Sequence, residues 1–232
     1  MSADERPMIT SRMVAIGIAL VAGMALASLW AYGQLPADAA VPIHWNGAGE
    51  IDRYAGRLAG LFTTVAVAAA TAVVLVVIPR IEPRRRNLQR SAGAYRVAYY
   101  ATLGLLAAVH ASIVAAALGH VVDPTTIIVA GAGVLLVVIG NWLPKVRSNF
   151  LFGVRTPWTL SSDYTWRRTH LVAGRAMVVL GLLLVASGIL ADGVVVPVLA
   201  VAAAGFTVGV VAYSYLVWRS APDRDQGQHM RG

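Results

Sequence analysis

The stretch GRLAGLFTTVAVAAATAVVLVVI, Gly56–Ile78, decides what kind of solvent this chain folds in. After Arg57 it carries no charge, and roughly 20 helical residues are enough to cross a hydrocarbon core of about 30 Å. Its apolar residues run on without the alternation of a barrel strand, so a helix must satisfy the backbone hydrogen bonds in lipid. Five more stretches repeat the pattern: Met13–Gly33, Val97–Leu118, Thr125–Leu143, Leu171–Leu190 and Val194–Trp218. Composition agrees, with 58% hydrophobic residues, 13% charged and a mean hydropathy of +0.68 over 232 residues. That is more apolar surface than one soluble core of this size hides. The fold class that follows is all-α: a polytopic membrane protein with six transmembrane helices. The first stretch follows Arg6 and Arg12, as in a secretory signal. It is longer than the usual apolar core of a signal and has no small-residue cleavage site after it, so it reads as a retained span.

Basic residues set the orientation. With the N-terminus in the cytosol, only Arg53 and Arg57 of the 19 Lys and Arg residues fall outside, which the positive-inside rule reads as both termini cytosolic. The chain then divides into a cytosolic N-terminus (1–12), two spans with an outer His-Trp-Asn loop (13–78, loop 34–55) and a basic inner loop (79–96). Spans three and four follow (97–143), then an inner loop (144–170), spans five and six (171–218) and a cytosolic tail (219–232). Short turns at Gly119–Pro124 and Ala191–Gly193 make spans three and four, and five and six, antiparallel neighbours. The tail is polar and reads as disordered. Inside span six, Gly205-Phe-Thr-Val-Gly209 has the small-residue spacing that lets helix backbones approach, and is assigned to packing within the chain. The net charge of +8 is accounted for by this topology and by anionic lipid, so the partner it indicates is the bilayer and not nucleic acid. With no cysteine there is neither a disulfide nor a thiolate metal site.

The outer loop contains His44, Trp45, Asn46, Gly49, Asp52 and Tyr54. Pro36 and Pro42 stiffen its entry and Asn46-Gly47 supplies a turn, so it reads as a folded lid that a ligand from outside would meet. Glu50 and Asp52 with Arg53 and Arg57 are placed either to close it by ion pairs or to approach lipid head groups. An alternative gives Trp45 and Tyr54 to the aromatic belt and His44 to a turn. His44 has no neighbouring His or Cys, so no metal and no cofactor are assigned. His110 is the one ionisable residue deep within a span, either a neutral hydrogen-bonding ring or a proton-linked group. The inner run PRIEPRRRNLQRSAGAYR, Pro79–Arg96, reads as a basic surface.

NFLFGVRTPWTLSSDYTWRRTH, Asn149–His170, concentrates costly residues between two apolar spans. Gly153 permits a tight turn, and Pro157 biases Thr156 to extended backbone. Ser161, Ser162 or Asp163 can cap a helix that carries Trp166 and His170 one turn apart. Trp158 and Trp166 suit the membrane interface. Arg155, with hydroxyls at Thr159, Ser161 and Ser162 beyond it, is expected either to tie the segment to helix-end carbonyls or to meet an anion. Arg155→Lys then reads as a loss.

Asn149, Phe150, Gly153, Arg155-Thr156-Pro157-Trp158-Thr159, Trp166 and His170, in that order, resemble the motif of the SdpI family of bacterial membrane immunity proteins. Pro42-Ile43-His44-Trp45-Asn46 with Gly49, Asp52 and Tyr54 is similar to the small domain of unknown function near the N-terminus of those proteins. The resemblance implies a non-enzymatic protein of the bacterial cytoplasmic membrane that protects its cell from a secreted toxic peptide. It further implies a receptor that holds a small cytosolic winged-helix repressor at the membrane. A small transporter or lipid-handling protein, with His110 and Arg155 on its path, is the rival reading. An enzyme acting on lipid finds no nucleophile with a base, acidic cluster or phosphate loop to carry it.

Overall fold

The computed structural model describes residues 7–46, 50–122, 124–190 and 195–224. Gly49 and the Ala191–Gly193 turn lie outside the described residues, as do the chain before Pro7 and the tail after Arg224. Six long helices are apolar enough to cross a membrane. They are α1 (Ser11–Gln34), α2 (Arg57–Val77), α4 (Ala92–Ala117), α5 (Pro124–Trp142), α7 (Asp163–Leu190) and α8 (Val195–Arg219). Two short helices, α3 (Arg85–Arg90) and α6 (Pro157–Ser161), two 3-10 turns (Ile78–Ile81 and Leu143–Lys145) and an antiparallel pair, β1 (Ala40–Trp45) and β2 (Ile51–Gly56), complete the described elements. Only 11–28% of each span's most apolar window is buried inside the protein. The outward faces carry residues such as Ile18, Leu26, Val73, Leu182 and Val201. An apolar exterior on this scale is what a bilayer covers.

Local signals set the helix ends. Thr10 caps α1, its hydroxyl accepting from the Met13 N–H at 3.1 Å. Pro124 opens α5, where a missing N–H costs nothing. A 3-10 turn, Leu143–Lys145, carries Pro144 and ends the apolar run of α5. The span five helix starts eight residues before the apolar stretch does, because its first two turns, with Trp166 and His170, belong to the loop end of the bundle.

The closest helix pairing is α5 with α7, through glycines seven residues apart on both helices. A Cβ at Gly133 would meet the Gly181 carbonyl at 2.6 Å, and one at Gly181 would meet the Gly133 carbonyl at 2.5 Å. Gly140 and Gly174 are reciprocal in the same way, at 2.7 and 2.6 Å. The backbones therefore touch, and dispersion contacts replace the hydrophobic drive that is missing in lipid. The expected role of Gly205 and Gly209 is corrected, since among the described residues no atom outside the helix's own neighbouring turns lies within 4 Å of a Cβ at either position. The intramolecular seam is real, but it runs along α5 and α7. The other pairings expected from short turns, α4 with α5 and α7 with α8, are present. A second group, α1, α2 and α4, packs around Met13, Tyr99 and Leu103 at one level and Met24, Val65 and Ala68 at another.

Candidate functional site

The helices alternate in direction. The Pro79–Ser91 segment, the Val146–Ser162 segment and the described part of the tail therefore meet at one end of the bundle, and the β-hairpin stands at the other.

The loop end is built from hydrogen bonds that the sequence spreads widely. Asn149 is fully buried. Its carboxamide oxygen accepts from the Leu151 and Phe152 N–H groups at 2.8 and 2.9 Å, and its NH2 donates to the Arg147 carbonyl at 2.8 Å. This short polar turn lets the chain reverse while satisfying its own backbone. Gly153 follows with φ +112°, and a Cβ there would strike the His170 ring. Glycine thus allows the Val154 N–H to donate to His170 Nε2 at 3.1 Å, while Nδ1–H of the same ring donates to the Trp166 carbonyl at 2.8 Å. The two bonds fix the ring as the Nδ1–H tautomer. Trp166 stacks on it, centroids 4.0 Å apart, and its indole N–H donates to the Val146 carbonyl at 2.8 Å. Trp166 is 1% exposed, so it belongs to the interior of the loop end and not to an interfacial belt.

Thr156 and Thr159 make a reciprocal capping box that starts α6. The Thr159 N–H donates to the Thr156 hydroxyl at 3.2 Å, and the Thr156 N–H donates to the Thr159 hydroxyl at 2.9 Å. Pro157 sits at the first helical position. Trp158 leans on α8: its indole N–H donates to the Ser214 hydroxyl at 2.5 Å, and its ring meets Tyr215 edge-on at 5.4 Å. Ser162 caps α7, as one of the three expected candidates, by accepting from the Thr165 N–H at 3.0 Å.

Arg155, at an exposed position, donates to the Phe150 carbonyl at 2.6 Å. The role expected of it, tying helix-end carbonyls, falls to Arg84. That guanidinium donates to the Leu160 carbonyl at the end of α6 at 2.9 Å and to the Ser148 hydroxyl, and lies over the Phe150 ring at 4.8 Å. Glu82, 4% exposed, accepts from the Phe150 N–H at 3.1 Å and from the Arg84 N–H at 2.9 Å. Asn87 donates to the Ser148 carbonyl at 2.8 Å, and the Arg147 N–H donates to the Ser91 hydroxyl at 2.9 Å. The basic segment read as a surface is thus half of the clamp. A lone acid, Glu82, in a run of arginines was the available signal.

The tail adds a further tie. Asp223 accepts from the Ser162 hydroxyl at 2.5 Å and from the Tyr164 N–H at 3.0 Å. Desolvation pushes its pKa up, but the Ser162 and Tyr164 bonds and the Arg167 charge outweigh it and hold the carboxyl below its ordinary value of 3.8. To this residue the tail is ordered, contrary to the reading from composition.

At the hairpin end, β1 and β2 pair with irregular register between Pro42 and Trp45. Val41 is buried against Gly60 of α2, where a Cβ would collide with it, and Trp45 packs on the cluster of Ala31, Leu61 and Ile113. The tip faces outward. His44 Nδ1 lies 2.6 Å from Asp52 Oδ1, Asn46 donates to the Glu50 carboxylate at 3.0 Å, and Tyr54 is exposed. The ion pairs expected with Arg53 and Arg57 are replaced by these. Arg57 instead caps α1, donating to the Leu35 carbonyl at 2.8 Å, and covers the Tyr32 ring at 4.0 Å.

Between the ends, buried His110 meets the Met24 carbonyl at 3.0 Å and the Ser28 hydroxyl at 3.2 Å through Nε2. The Ser28 hydrogen is committed to the Leu61 carbonyl, so both neighbours of Nε2 can only accept, and that nitrogen carries the proton. Nδ1 has no hydrogen-bond partner among the described residues. The ring borders a groove of about 480 Å³ between α1 and α4.

This architecture defines the class: a multi-pass helical membrane protein with a hydrogen-bonded clamp at one end of its bundle and a small hairpin at the other. Residues 145–215, from the clamp through α7 into α8, match the SdpI/YfhL protein family, and residues 19–69, which hold the hairpin, match a domain of unknown function, DUF1648. The chain is also 26% identical over 169 residues to the immunity protein SdpI of Bacillus subtilis (strain 168), covering 73% of this chain and 78% of that protein. The family resemblance drawn from the two motifs is thereby shown, and the chain carries an SdpI/YfhL region. No solved structure matches it.

Proposed function

We propose that this is an SdpI-like immunity and receptor protein of the bacterial cytoplasmic membrane, non-enzymatic, that senses or neutralises a secreted membrane-active toxic peptide. The observation that carries the reading is the order and placement of the two matched regions. One contains the hairpin, with His44 and Tyr54 exposed at the surface, and the other contains the clamp. In this reading both termini and the Arg84-Arg85-Arg86 loop are cytosolic, the hairpin meets the peptide outside, and the loop end supports the fold or recruits a winged-helix repressor. The basic-residue bias supports that orientation.

Expression in a toxin-sensitive strain tests the function: survival in the presence of the peptide is expected, and unchanged killing at normal protein level overturns it. Single cysteines in this cysteine-free chain test the topology with a membrane-impermeant thiol reagent. Position 44 should label in intact cells and position 85 should not.

A further inference from the structure

A cleft of about 700 Å³ opens at the loop end, between the start of α4 and the turn after α5. Arg90, Arg96, Lys145, Arg147 and Arg167 line it, drawn from α3, α4, the segment after α5, and α7, and among the described residues no Asp or Glu lines it. Two acids at this end are committed elsewhere, Glu82 to the Phe150 and Arg84 N–H groups and Asp223 to Ser162 and Tyr164. Asp223 also feels the Arg167 charge. Cations converging on one concavity repel one another, and an anion seated among them relieves that repulsion.

The depth of the cleft narrows the choice. Ala92 and Gly93 begin one span and Pro144 follows another, so the cleft lies where span ends leave the hydrocarbon. Trp142 is at the same level, with the Lys145 ammonium 4.2 Å from its ring centre. A tryptophan and a lysine at a span end mark headgroup depth.

We propose that this cleft binds a phosphate-bearing anion, with Lys145 and Arg147 as its principal ligands. Phosphate groups of acidic lipids reach this depth, and basic pockets between span ends are their usual receptors. A soluble phosphate anion offers the same chemistry from the aqueous side. The site stands whether or not the immunity reading holds.

Native mass spectrometry of the full chain in neutral detergent tests it, with phosphatidylglycerol and phosphatidylcholine added in equal amounts and pyrophosphate titrated separately. Lys145→Gln/Arg147→Gln is compared with Arg85→Gln/Arg86→Gln, which removes two exposed charges from the same end but outside the cleft. Phosphatidylglycerol retention that falls roughly tenfold in the first variant only is the expected result and identifies a lipid headgroup. Pyrophosphate binding lost in the first variant only, without lipid selectivity, also supports the site and identifies a soluble occupant. Equal losses in both variants, or no preference for either anion, overturn the proposal. Should Lys145→Gln/Arg147→Gln not fold, Arg96→Gln/Arg167→Gln reads the same cleft from α4 and α7.

Discussion

The two ends of the bundle are tied down by different means. At the loop end, buried and half-buried side chains reach across long sequence distances, Glu82, Arg84 and Trp166 to the backbone of Phe150, Leu160 and Val146 and Trp158 to the Ser214 hydroxyl. At the hairpin end, the foot is held by apolar contact through Val41 and Trp45, while the described polar residues of the tip, His44 with Asp52 and Asn46 with Glu50, pair across the turn. The difference teaches where to separate stability from recognition. A buried polar group that loses its partner is costly, whereas an exposed pair is worth little, so the loop end governs folding and the hairpin tip is free to change.

The comparison breaks most readily at Glu82. Glu82→Ala leaves the part-buried Phe150 and Arg84 N–H groups without their acceptor and frees the turn beneath Arg84, and should lower stability by about 3 kcal/mol in detergent unfolding. Arg84→Ala should be nearly as costly, and a change of less than about 0.5 kcal/mol in both would deny that the two loops form one clamp. Next comes Trp158. Trp158→Ala should cost about 2–3 kcal/mol by losing both ring contact and N–H donor, and Trp158→Phe about 1 kcal/mol by losing the donor alone. Equal effects would assign everything to packing.

Asp223 sharpens the comparison by pH. Its folded pKa is depressed, so its contribution is present above the unfolded value and is lost as pH falls through the folded one. Wild type should therefore exceed Asp223→Asn in thermal stability at pH 7, with the gap closing below about pH 4. A gap that is constant with pH would show that the charge contributes nothing. Arg155→Lys, changing one exposed bond, should shift stability by less than about 1 kcal/mol, smaller than the motif suggests. Smallest of all, His44→Ala should leave stability within about 0.5 kcal/mol of wild type while weakening protection. If stability and protection fall together there, the tip is structural.

The spans were legible because an uninterrupted apolar run has one solution in lipid, and the turn at Gly153 and cap at Ser162 because local chemistry demands them. The strands were not: Pro42 and an irregular register interrupt the alternation that announces a ribbon. Arg84 was hidden because three consecutive arginines look alike until the fold turns one inward. Asp223 was hidden for a related reason, since a polar tail gives no sign of which residue will find a helix start 60 positions earlier. Long-range hydrogen bonding leaves no periodicity to read. Likewise the glycines of α5 and α7 stood in the sequence beside others equally spaced, and only their partners distinguish them.

That glycine seam has a mechanical consequence. Because Gly133 faces Gly181 and Gly140 faces Gly174 backbone to backbone, a shift of α5 along α7 by one residue would drive a valine or leucine into space that holds no side chain. The pair therefore behaves as a single stiff bar, able to tilt or rotate as a unit but not to slip like a piston. Among the described residues, the face of α8 at Gly205 and Gly209 has no such interlock.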